Sequence, residues 1–419
     1  MHRIFVLTTM LVAVLCAQNA PPPKITLAQG VLEALDKNLS LMAEKHNIAV
    51  AQAKIITARL RPNPVMTFGA DHQNVLGGTW TLDNNAGPQE YSARVDFLLE
   101  RGGKRERRVE VAEAAKSVAE LQFLNTIRGL VFDVQNAFVD TLAAKASLTL
   151  AQENLKALND IVAVNTTRVR AGDLAQVELV RSRLAALQFQ NAVKQAELRL
   201  RTSKNRLQFL IGRQAMSADF DIDGELRRDS VDLGIEPLRE QAMRLRPDLL
   251  SILRDQQRSA ADIKLQIATA KVDYTVGSEY RRQQFTAYSN ALGFFVSVPL
   301  PVFNKNQGEI ERATRENQQI ALRVNAMKAA IGAELEGAWQ QYQTSRSLLD
   351  SIEKEMIEQA RQVRTTTEYS YRRGEASFVE FLDAQRAFND TMQSYNDARA
   401  DYVRSLFLLD SISGKAVNP

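Results

Sequence analysis

The chain has 419 residues, of which 45% are hydrophobic and 24% are charged, so it is long enough for several domains and is not disordered throughout. The formal net charge is only +4, and basic and acidic side chains are interleaved, which argues against nucleic acid as a partner. Aromatic residues make up 7%, with 19 Gly and 11 Pro, so long helices are expected rather than an all-β fold.

Residues 1–20 are typical of a secretory signal peptide. A basic start that ends at Arg3 precedes an apolar run to Cys16, and small residues and prolines follow. The run is too short to be a stable transmembrane helix. We expect cleavage after Ala17 or Ala20.

Cys16 is the only cysteine, so disulfides do not stabilise the mature chain. Lipidation of Cys16 is the alternative to plain cleavage, but Leu15 occupies the position where Gly, Ala or Ser is wanted. No later stretch approaches the roughly 18 uncharged apolar residues that a membrane-spanning helix needs. If the mature chain lies in a membrane, it must therefore form a closed β-barrel, in which every backbone group is paired.

The mature sequence contains an internal duplication. Gly172 recurs as Gly374 and Gly212 recurs as Gly414, in both cases 202 residues later. The predicted organisation is a first repeat at 24–212, a linker at 213–235, a second repeat at 236–414 and a C-terminal tail at 415–419.

Each repeat is predicted to contain a helix, two strands, a long helix, a turn and a return helix. The opening helix runs from Ile25 to Leu60, because Pro62 and Pro64 cannot continue it. The other elements of the first repeat are strands at about 65–75 and 90–100, a long helix at 104–171 and a return helix at 175–211. Those of the second repeat are strands at about 271–281 and 290–300, a long helix at 305–373 and a return helix at 377–413.

Alternating side chains distinguish the predicted strands. In the second strand the apolar side chains share one face, namely Tyr91, Ala93, Val95, Phe97 and Leu99. Arg94 and Asp96 lie on the other face, which would line a water-filled lumen. Each strand is about 10 residues long, the length that a tilted strand needs to cross a bilayer.

The predicted long helices need partners. From Lys104 to Ala171 the sequence has no Pro, and about 68 residues of helix extend about 100 Å. A helix of this length requires a coiled-coil or bundle partner. The opening and return helices together match it in length, so they are expected to pack along it.

Four strands are too few for a membrane barrel, which needs at least about eight. A single chain would expose strand edges to lipid, so several copies must share one wall, and a cyclic trimer supplies about a dozen strands. The predicted fold is therefore mainly α with a membrane β-barrel. It combines a trimeric 12-stranded barrel with an α-helical coiled-coil tunnel, built from the duplicated helix-strand-strand-long helix-turn-helix unit.

Three runs of residues point to a known family. They are Arg61-Pro62-Asn63-Pro64, the strand exit from Val298 to Gly308, and Tyr371-Arg372-Arg373-Gly374 followed by Phe381-Leu382-Asp383-Ala384-Gln385. Together with the duplication, they resemble the TolC-type outer-membrane efflux proteins over nearly the whole mature chain. The resemblance implies a homotrimer in the outer membrane of a Gram-negative-type bacterium, extending into the periplasm. Its implied partners are outer-membrane lipid, a periplasmic adaptor (membrane fusion) protein and an inner-membrane pump.

The two predicted helix turns carry most of the candidate functional residues. By the resemblance, these turns are periplasmic tips that dock the adaptor, through Arg170, Ala171, Gly172, Asp173, Leu174, Arg373, Gly374, Glu375 and Ala376. The alternative is a pair of simple helix corners, with left-handed Gly172 and Gly374 and a capping box between Ser377 and Glu380. Both interpretations can hold together. The helix after the first turn is expected to start at Asp173, or at Ala175 with Glu178.

The resemblance also places a periplasmic gate beside the second tip, formed by Tyr371, Arg372, Glu380 and Asp383. Glu380 and Asp383 lie three residues apart on one helix face, so three protomers would present six carboxylates that select cations. Tyr371 would brace the gate, and Arg372 would pair with an acid on a neighbouring helix. The family has a basic residue where Ala376 stands, so the latch must differ here. A solvated acidic face near a helix start is the alternative.

No motif supports catalysis, a cofactor or a metal site. The basic cluster from Arg101 to Arg108 follows two glycines, but it lacks the first Gly and the Ser or Thr of a phosphate-binding loop. We interpret it as a basic collar at the periplasmic membrane surface. His46 and His72 are far apart in sequence and have no cysteine partners.

The predicted function is therefore the outer-membrane exit duct of a tripartite efflux pump, and not an enzyme. A duct for type I protein secretion is an alternative, since the pump chooses the cargo. A periplasmic coiled-coil adaptor is a further alternative, but it leaves the two hairpins unexplained.

Overall fold

The structure is a computed structural model. It describes residues 24–73, 88–217, 219–229, 234–284 and 287–415. The predicted signal peptide at residues 1–20, the end of the first predicted strand at 74–75, and residues 416–419 of the predicted tail lie outside the described residues.

The described chain is mainly helical. Its first half contains α1 (Leu27–Lys37), α2 (Leu39–Arg59), β1 (Val65–Asp71), β2 (Glu90–Leu99), α3 (Lys104–Ala171) and α4 (Gln176–Leu210). Its second half contains α5 (Ile235–Leu245), α6 (Pro247–Thr269), β3 (Tyr274–Gln284), β4 (Tyr288–Ser297), α7 (Gln307–Ser351), a π-helical turn (Ile352–Met356), α8 (Ile357–Arg373) and α9 (Phe378–Ile412). No helix in this part of the chain is long and apolar enough to cross a membrane.

The predicted opening helix is broken at Asn38, whose backbone is extended. The Asn38 Oδ1 atom accepts a hydrogen bond from the Leu41 amide (2.9 Å), and its Nδ2 atom donates to the Leu210 carbonyl (2.9 Å). The side chain therefore caps α2 and holds the end of α4. In the second half the equivalent break falls at extended Arg246, before Pro247, which is well suited to start a helix.

Gly212 and Gly414, which mark the duplication, each lie against one of these breaks. Both have positive φ, at 84° and 81°. A Cβ atom on Gly212 would lie 2.4 Å from the Lys37 carbonyl oxygen, and one on Gly414 would lie 2.9 Å from the Leu245 Cβ atom. The two glycines thus allow the same close approach in the two halves.

The two long helices differ. α3 runs unbroken over the predicted range, whereas its counterpart begins at Gln307 and is interrupted by the π-helical turn. The later start has a local cause, because Asn306 is left-handed (φ 62°) and its side-chain Nδ2 atom donates to the Gln266 carbonyl (2.8 Å). In the π-helical turn Ile352 is buried, and Glu353 accepts a hydrogen bond from the Tyr395 hydroxyl (3.0 Å).

Residue contacts divide the chain into two compact units, each with segments from both halves. The helical unit comprises residues 1–44, 124–246 and 329–419, as far as they are described. Its buried side chains form three clusters, centred on Leu406, on Ile211 and on Tyr371 with Phe381. The third cluster lies at the turns between α3 and α4 and between α8 and α9, where the candidate site residues are found.

The sheet unit comprises residues 45–123 and 247–328, as far as they are described. Its described strands form one antiparallel sheet in the order β1-β2-β3-β4. β3 starts later than predicted, because the Asp273 carboxylate is held by the Arg101 amide (2.8 Å) and by Lys104 (2.7 Å). β4 ends at Ser297, shortly before Pro299, which has no amide hydrogen to donate.

The strand register determines which side chains share a face, because directly paired residues point to the same side. One face is largely apolar on all four strands and includes Phe68, Val95, Phe97, Val276, Tyr280, Leu292, Phe294 and Val296. The other face includes Arg94, Asp96, Glu279 and Arg281. Arg94 pairs with Asp96 (2.9 Å). The alternation predicted for the second strand is thus present.

Candidate functional site

The first helix corner follows α3, at Gly172. Its φ is 86°, a value that favours glycine. The Gly172 amide donates to the Val169 carbonyl (3.1 Å), and the Asp173 amide donates to the Arg168 carbonyl (2.9 Å). This pair of hydrogen bonds is the Schellman motif, which satisfies the free carbonyls at the end of a helix.

The start of α4 has no side-chain cap. Ala175 is the N-cap residue, so the alternative start at Asp173 is wrong, and a methyl group cannot accept a hydrogen bond from the helix. Glu178, at the third helical position, instead pairs with Arg181 (2.8 Å). The first corner therefore depends on the backbone conformation of Gly172 and its two backbone hydrogen bonds, without a side-chain cap at the start of α4.

The second corner, at Gly374, has the same backbone but a complete cap. Gly374 has φ 82°, and the amides of Gly374 and Glu375 donate to the carbonyls of Tyr371 (3.0 Å) and Ser370 (2.9 Å). Ser377 Oγ accepts from the Glu380 amide (3.2 Å), while Glu380 Oε2 accepts from the Ser377 amide (2.7 Å). The predicted capping box is confirmed.

An aromatic cluster lies next to the second corner. Tyr371 is 2% exposed, and its ring stacks on Phe381 (5.5 Å between centroids) and lies 6.0 Å from Phe378. Its hydroxyl donates to Oδ1 of buried Asn165 (2.7 Å), which belongs to α3. Burial raises the pKa of the Tyr371 phenol above its ordinary value, so the hydroxyl stays protonated and can act as the donor.

Arg168 joins the two corners. It lies in the last turn of α3, and its Nη1 atom donates to the Tyr371 carbonyl (3.4 Å). A Cβ atom on Gly374 would lie 3.1 Å from Arg168 Nη2. The candidate residues predicted from the sequence did not include Arg168, Asn165 or Phe378. The three-residue spacing of Phe378 and Phe381 on one helix was the available signal for the cluster, but nothing local marked the two α3 residues.

The predicted gate residues do not form one network within a single chain. Glu380 and Asp383 are exposed, while Tyr371 is buried. Hydrogen bonds from the Ser377 amide and hydroxyl lower the pKa of the Glu380 carboxyl. Arg372 pairs with Glu368 on its own helix (2.8 Å), one turn earlier, and not with an acid on a neighbouring helix among the described residues.

The predicted docking residues are mostly accessible. Two of them, Leu174 and Ala376, are half-buried, and the rest are exposed, namely Arg170, Ala171, Gly172, Asp173, Arg373, Gly374 and Glu375. The Arg373 guanidinium lies over the Tyr369 ring (4.4 Å). Within the described ranges, no group of three or more His, Cys, Asp or Glu side chains could hold a metal ion.

Comparisons with known proteins cover almost the whole chain. The family model described as "Outer membrane efflux protein" matches residues 31–213 and 238–415. The cobalt-zinc-cadmium resistance protein CzcC of Cupriavidus metallidurans is 22% identical, covering 97% of this chain and 94% of its own length. The probable outer membrane lipoprotein SilC of Salmonella typhimurium is 24% identical, covering 87% and 80%. The CmeC outer membrane channel of Campylobacter jejuni superimposes with a TM-score of 0.78 at 12% identity, covering 93% and 86%.

The similarity to solved channels supports the fold, and the family match confirms the resemblance predicted from the sequence. The predicted mainly helical fold class and the outer-membrane location are confirmed with it. Because the family model matches most of its length, the chain belongs to the family of outer membrane efflux proteins.

Proposed function

We propose that the chain is one protomer of a homotrimeric exit duct in the outer membrane. The duct would receive substrates from an inner-membrane pump through a periplasmic adaptor and release them outside the cell. The observation that carries this proposal is the four-stranded sheet, which combines one apolar face with two open edges.

The apolar face fits contact with lipid. Large apolar side chains are exposed on it, including Phe68, Phe97, Leu292, Phe294 and Val296. Monomeric soluble proteins rarely expose a continuous apolar surface of this kind. The opposite face carries the Arg94–Asp96 pair and a second pair between Arg281 and Glu90 (2.8 Å). An apolar outside and a charged inside are typical of membrane barrels with a wet lumen.

The open edges require further copies of the chain. Among the described strands, β1 and β4 each have a partner on one side only. Unpaired backbone groups are too costly in lipid to remain exposed, so each outer edge must find another strand. Three copies contribute about twelve strands, within the size range of membrane barrels. The sheets would then form one barrel in the outer membrane.

The helices would form the periplasmic part of the duct. The order of elements in the first half recurs in the second, which supports repeats at 24–212 and 236–414 around a linker. A helix as long as α3 needs helical partners, and a coiled-coil tunnel supplies them. In this arrangement the two helix corners are the periplasmic tips that dock the adaptor. Tyr371, Arg372, Glu380 and Asp383 lie at or beside the second tip, as expected for a gate.

Purified protein tests the assembly. We expect a detergent-dependent trimer that dissociates on heating and conducts ions in a planar bilayer. Size-exclusion chromatography with light scattering gives the mass of the complex. A monomer that stays soluble without detergent would overturn the proposal.

A deletion strain tests the transport role. The relative CzcC is named for cobalt, zinc and cadmium resistance, and SilC is named as a probable outer membrane lipoprotein. Loss of the chain should therefore sensitise cells to substances in a panel of metal salts, drugs and detergents. Unchanged sensitivity combined with loss of a secreted protein would instead support the protein-secretion alternative.

The gate is tested by the double variant Glu380→Ala/Asp383→Ala. Removing six carboxylates from a trimer should weaken cation selectivity, which is measured from the reversal potential in a salt gradient. Asp160→Ala/Asp390→Ala is the matched control, because it also removes two exposed acids of the helical unit, neither of them at a tip or in the gate. Equal reversal potentials for the natural chain, the gate variant and the control would mean that Glu380 and Asp383 do not line the narrowest part of the channel.

A further inference from the structure

The basic cluster at the start of α3 is mostly neutralised by neighbouring acids. Four of its five cations are paired: Lys104 with Asp273, Arg105 with Glu106, Arg107 with Glu110, and Arg108 with Glu100. The fifth, Arg101, lies over the Tyr274 ring (4.5 Å). The basic collar predicted from the sequence therefore provides little free positive charge.

Two other lysines at the same end of the sheet lack such acidic partners among the described residues. Lys271 lies just before β3 and Lys305 lies after β4, and both are exposed. Neither forms an ion pair with any carboxylate in the described ranges. They line one cleft of about 420 Å³, together with Leu98, Pro299 and Leu300. The Lys104–Asp273 pair in this cleft cancels its own charge, so the cleft carries two unbalanced positive charges.

An exposed apolar segment adjoins this cleft. From Val298 to Phe303 the chain leaves β4, and Leu300 is 81% exposed and Phe303 is 92% exposed. Val298 and Leu300 continue the every-second-residue pattern of the exposed Phe294 and Val296. The apolar face of the sheet therefore extends beyond the strand, up to the two lysines.

The opposite end of the strands is different. Arg281 is paired there with both Glu90 (2.8 Å) and Glu279 (3.2 Å). Arg282 lies over the Tyr288 ring (4.1 Å). Apolar surface next to two unpaired ammonium groups is thus a feature of the helix-side end among the described residues.

We propose that Lys271, Lys305 and the segment from Val298 to Phe303 form a binding site for an anionic phospholipid. The two ammonium groups bind the phosphate of the headgroup, and Leu300 and Phe303 contact the acyl chains. This inference rests on the proposed function, which places the apolar face of the sheet in the membrane. Lysine side chains at such a boundary reach the headgroups, where they attract anionic lipids.

The test uses the detergent-purified trimer and native mass spectrometry. Phosphatidylglycerol and phosphatidylcholine with identical acyl chains are titrated separately, and the retained lipid is counted. We expect the natural chain to retain more phosphatidylglycerol than phosphatidylcholine. Lys271→Gln/Lys305→Gln should weaken this retention by roughly tenfold, because each lysine near an anionic lipid contributes a severalfold factor.

The matched control is Lys54→Gln/Lys328→Gln, which removes two exposed lysines of the same unit that form no ion pair with a described carboxylate. It should retain phosphatidylglycerol like the natural chain. Equal retention by the test variant and the control overturns the proposal. Displacement of the lipid by millimolar inorganic phosphate would indicate a site for free anions and would also overturn it.

The apolar segment is tested by Leu300→Ser/Phe303→Ser. This variant should retain less of both lipids while it remains a trimer. Dissociation of the trimer would mean that a second copy covers the segment, and the lipid site would be rejected. Every preparation is first checked for trimer formation and conductance. Failure of the natural chain at that stage contradicts the proposed function, whereas failure of the lipid test with conducting trimers contradicts this inference alone.

Discussion

The two helix corners have the same backbone but different side-chain support. Gly172 and Gly374 have φ values of 86° and 82°, and each corner closes with the same pair of backbone hydrogen bonds. The second corner adds the Ser377–Glu380 capping box and the aromatic cluster around Tyr371. The first corner continues into an uncapped helix at Ala175.

The shape of a helix corner and its stability therefore have different causes. Glycine determines the shape, because it adopts positive φ without steric cost. Stability depends on what else the segment buries or caps, and here the second corner has more of both. We therefore expect the second corner to open less readily than the first, although Arg168 couples them.

Replacing Tyr371 should have the largest effect on this comparison. Tyr371→Ala removes a buried ring and leaves Asn165 without its partner, which should destabilise the second corner by about 3–5 kcal/mol. Hydrogen exchange of the amides from 374 to 385 measures the opening free energy. Tyr369→Ala is the control, since Tyr369 is exposed and should cost no more than about 0.5 kcal/mol. Equal effects of the two substitutions would contradict a structural role for the cluster.

Alanine at the two glycines tests whether the corners share one backbone requirement. Gly172→Ala and Gly374→Ala should each cost about 1–2 kcal/mol, because both force a side chain into the left-handed region. The cost should be slightly larger at Gly374, where Arg168 must move, than at Gly172, where the added Cβ meets nothing within 4 Å. Thermal unfolding of the two variants in parallel gives the comparison. A stabilising effect at either glycine would contradict the geometry.

Removing the cap of the second corner and adding one to the first should make the two corners more alike in stability. Ser377→Ala should cost about 1 kcal/mol at the second corner, because the Glu380 amide loses its acceptor. Ala175→Ser should stabilise the first corner by a similar or smaller amount, because Glu178 is correctly spaced to complete a capping box. Amide exchange at positions 176–180 and 378–382 measures both changes. No gain in protection from Ala175→Ser would mean that the Glu178–Arg181 pair prevents the new cap.

Acid should weaken only the second corner. The Ser377 amide and hydroxyl lower the pKa of the Glu380 carboxyl below its usual 4.5, so the ionised cap stabilises the fold above pH 4.5. That contribution is lost as the pH falls through the lowered pKa. Spin labels at Glu375→Cys and Asp173→Cys should therefore behave alike from pH 7 to 5, and only the former should gain mobility at lower pH. Glu380→Gln should abolish this difference.

Local patterns in the sequence determined much of the secondary structure of this protein. The absence of Pro predicts the long α3 over the range that the structure has, and the glycines predict both corners. Alternating residues predict the two faces of the sheet, and the runs around Pro62, Pro299 and Gly374, together with the duplication, indicate the family. These features follow from interactions among residues close together in the chain, so they are readable without the fold.

Tertiary structure alone decided the contacts between distant segments. Tyr371 meets Asn165 across 206 positions, and Asn38 holds the end of α4 across 172. The same applies to the basic cluster, where Lys104 is paired with Asp273, 169 positions away, whereas Lys271 and Lys305 form no ion pair with a described carboxylate. A side chain's partner depends on which segments pack together, and packing is a property of the whole chain that no local pattern records.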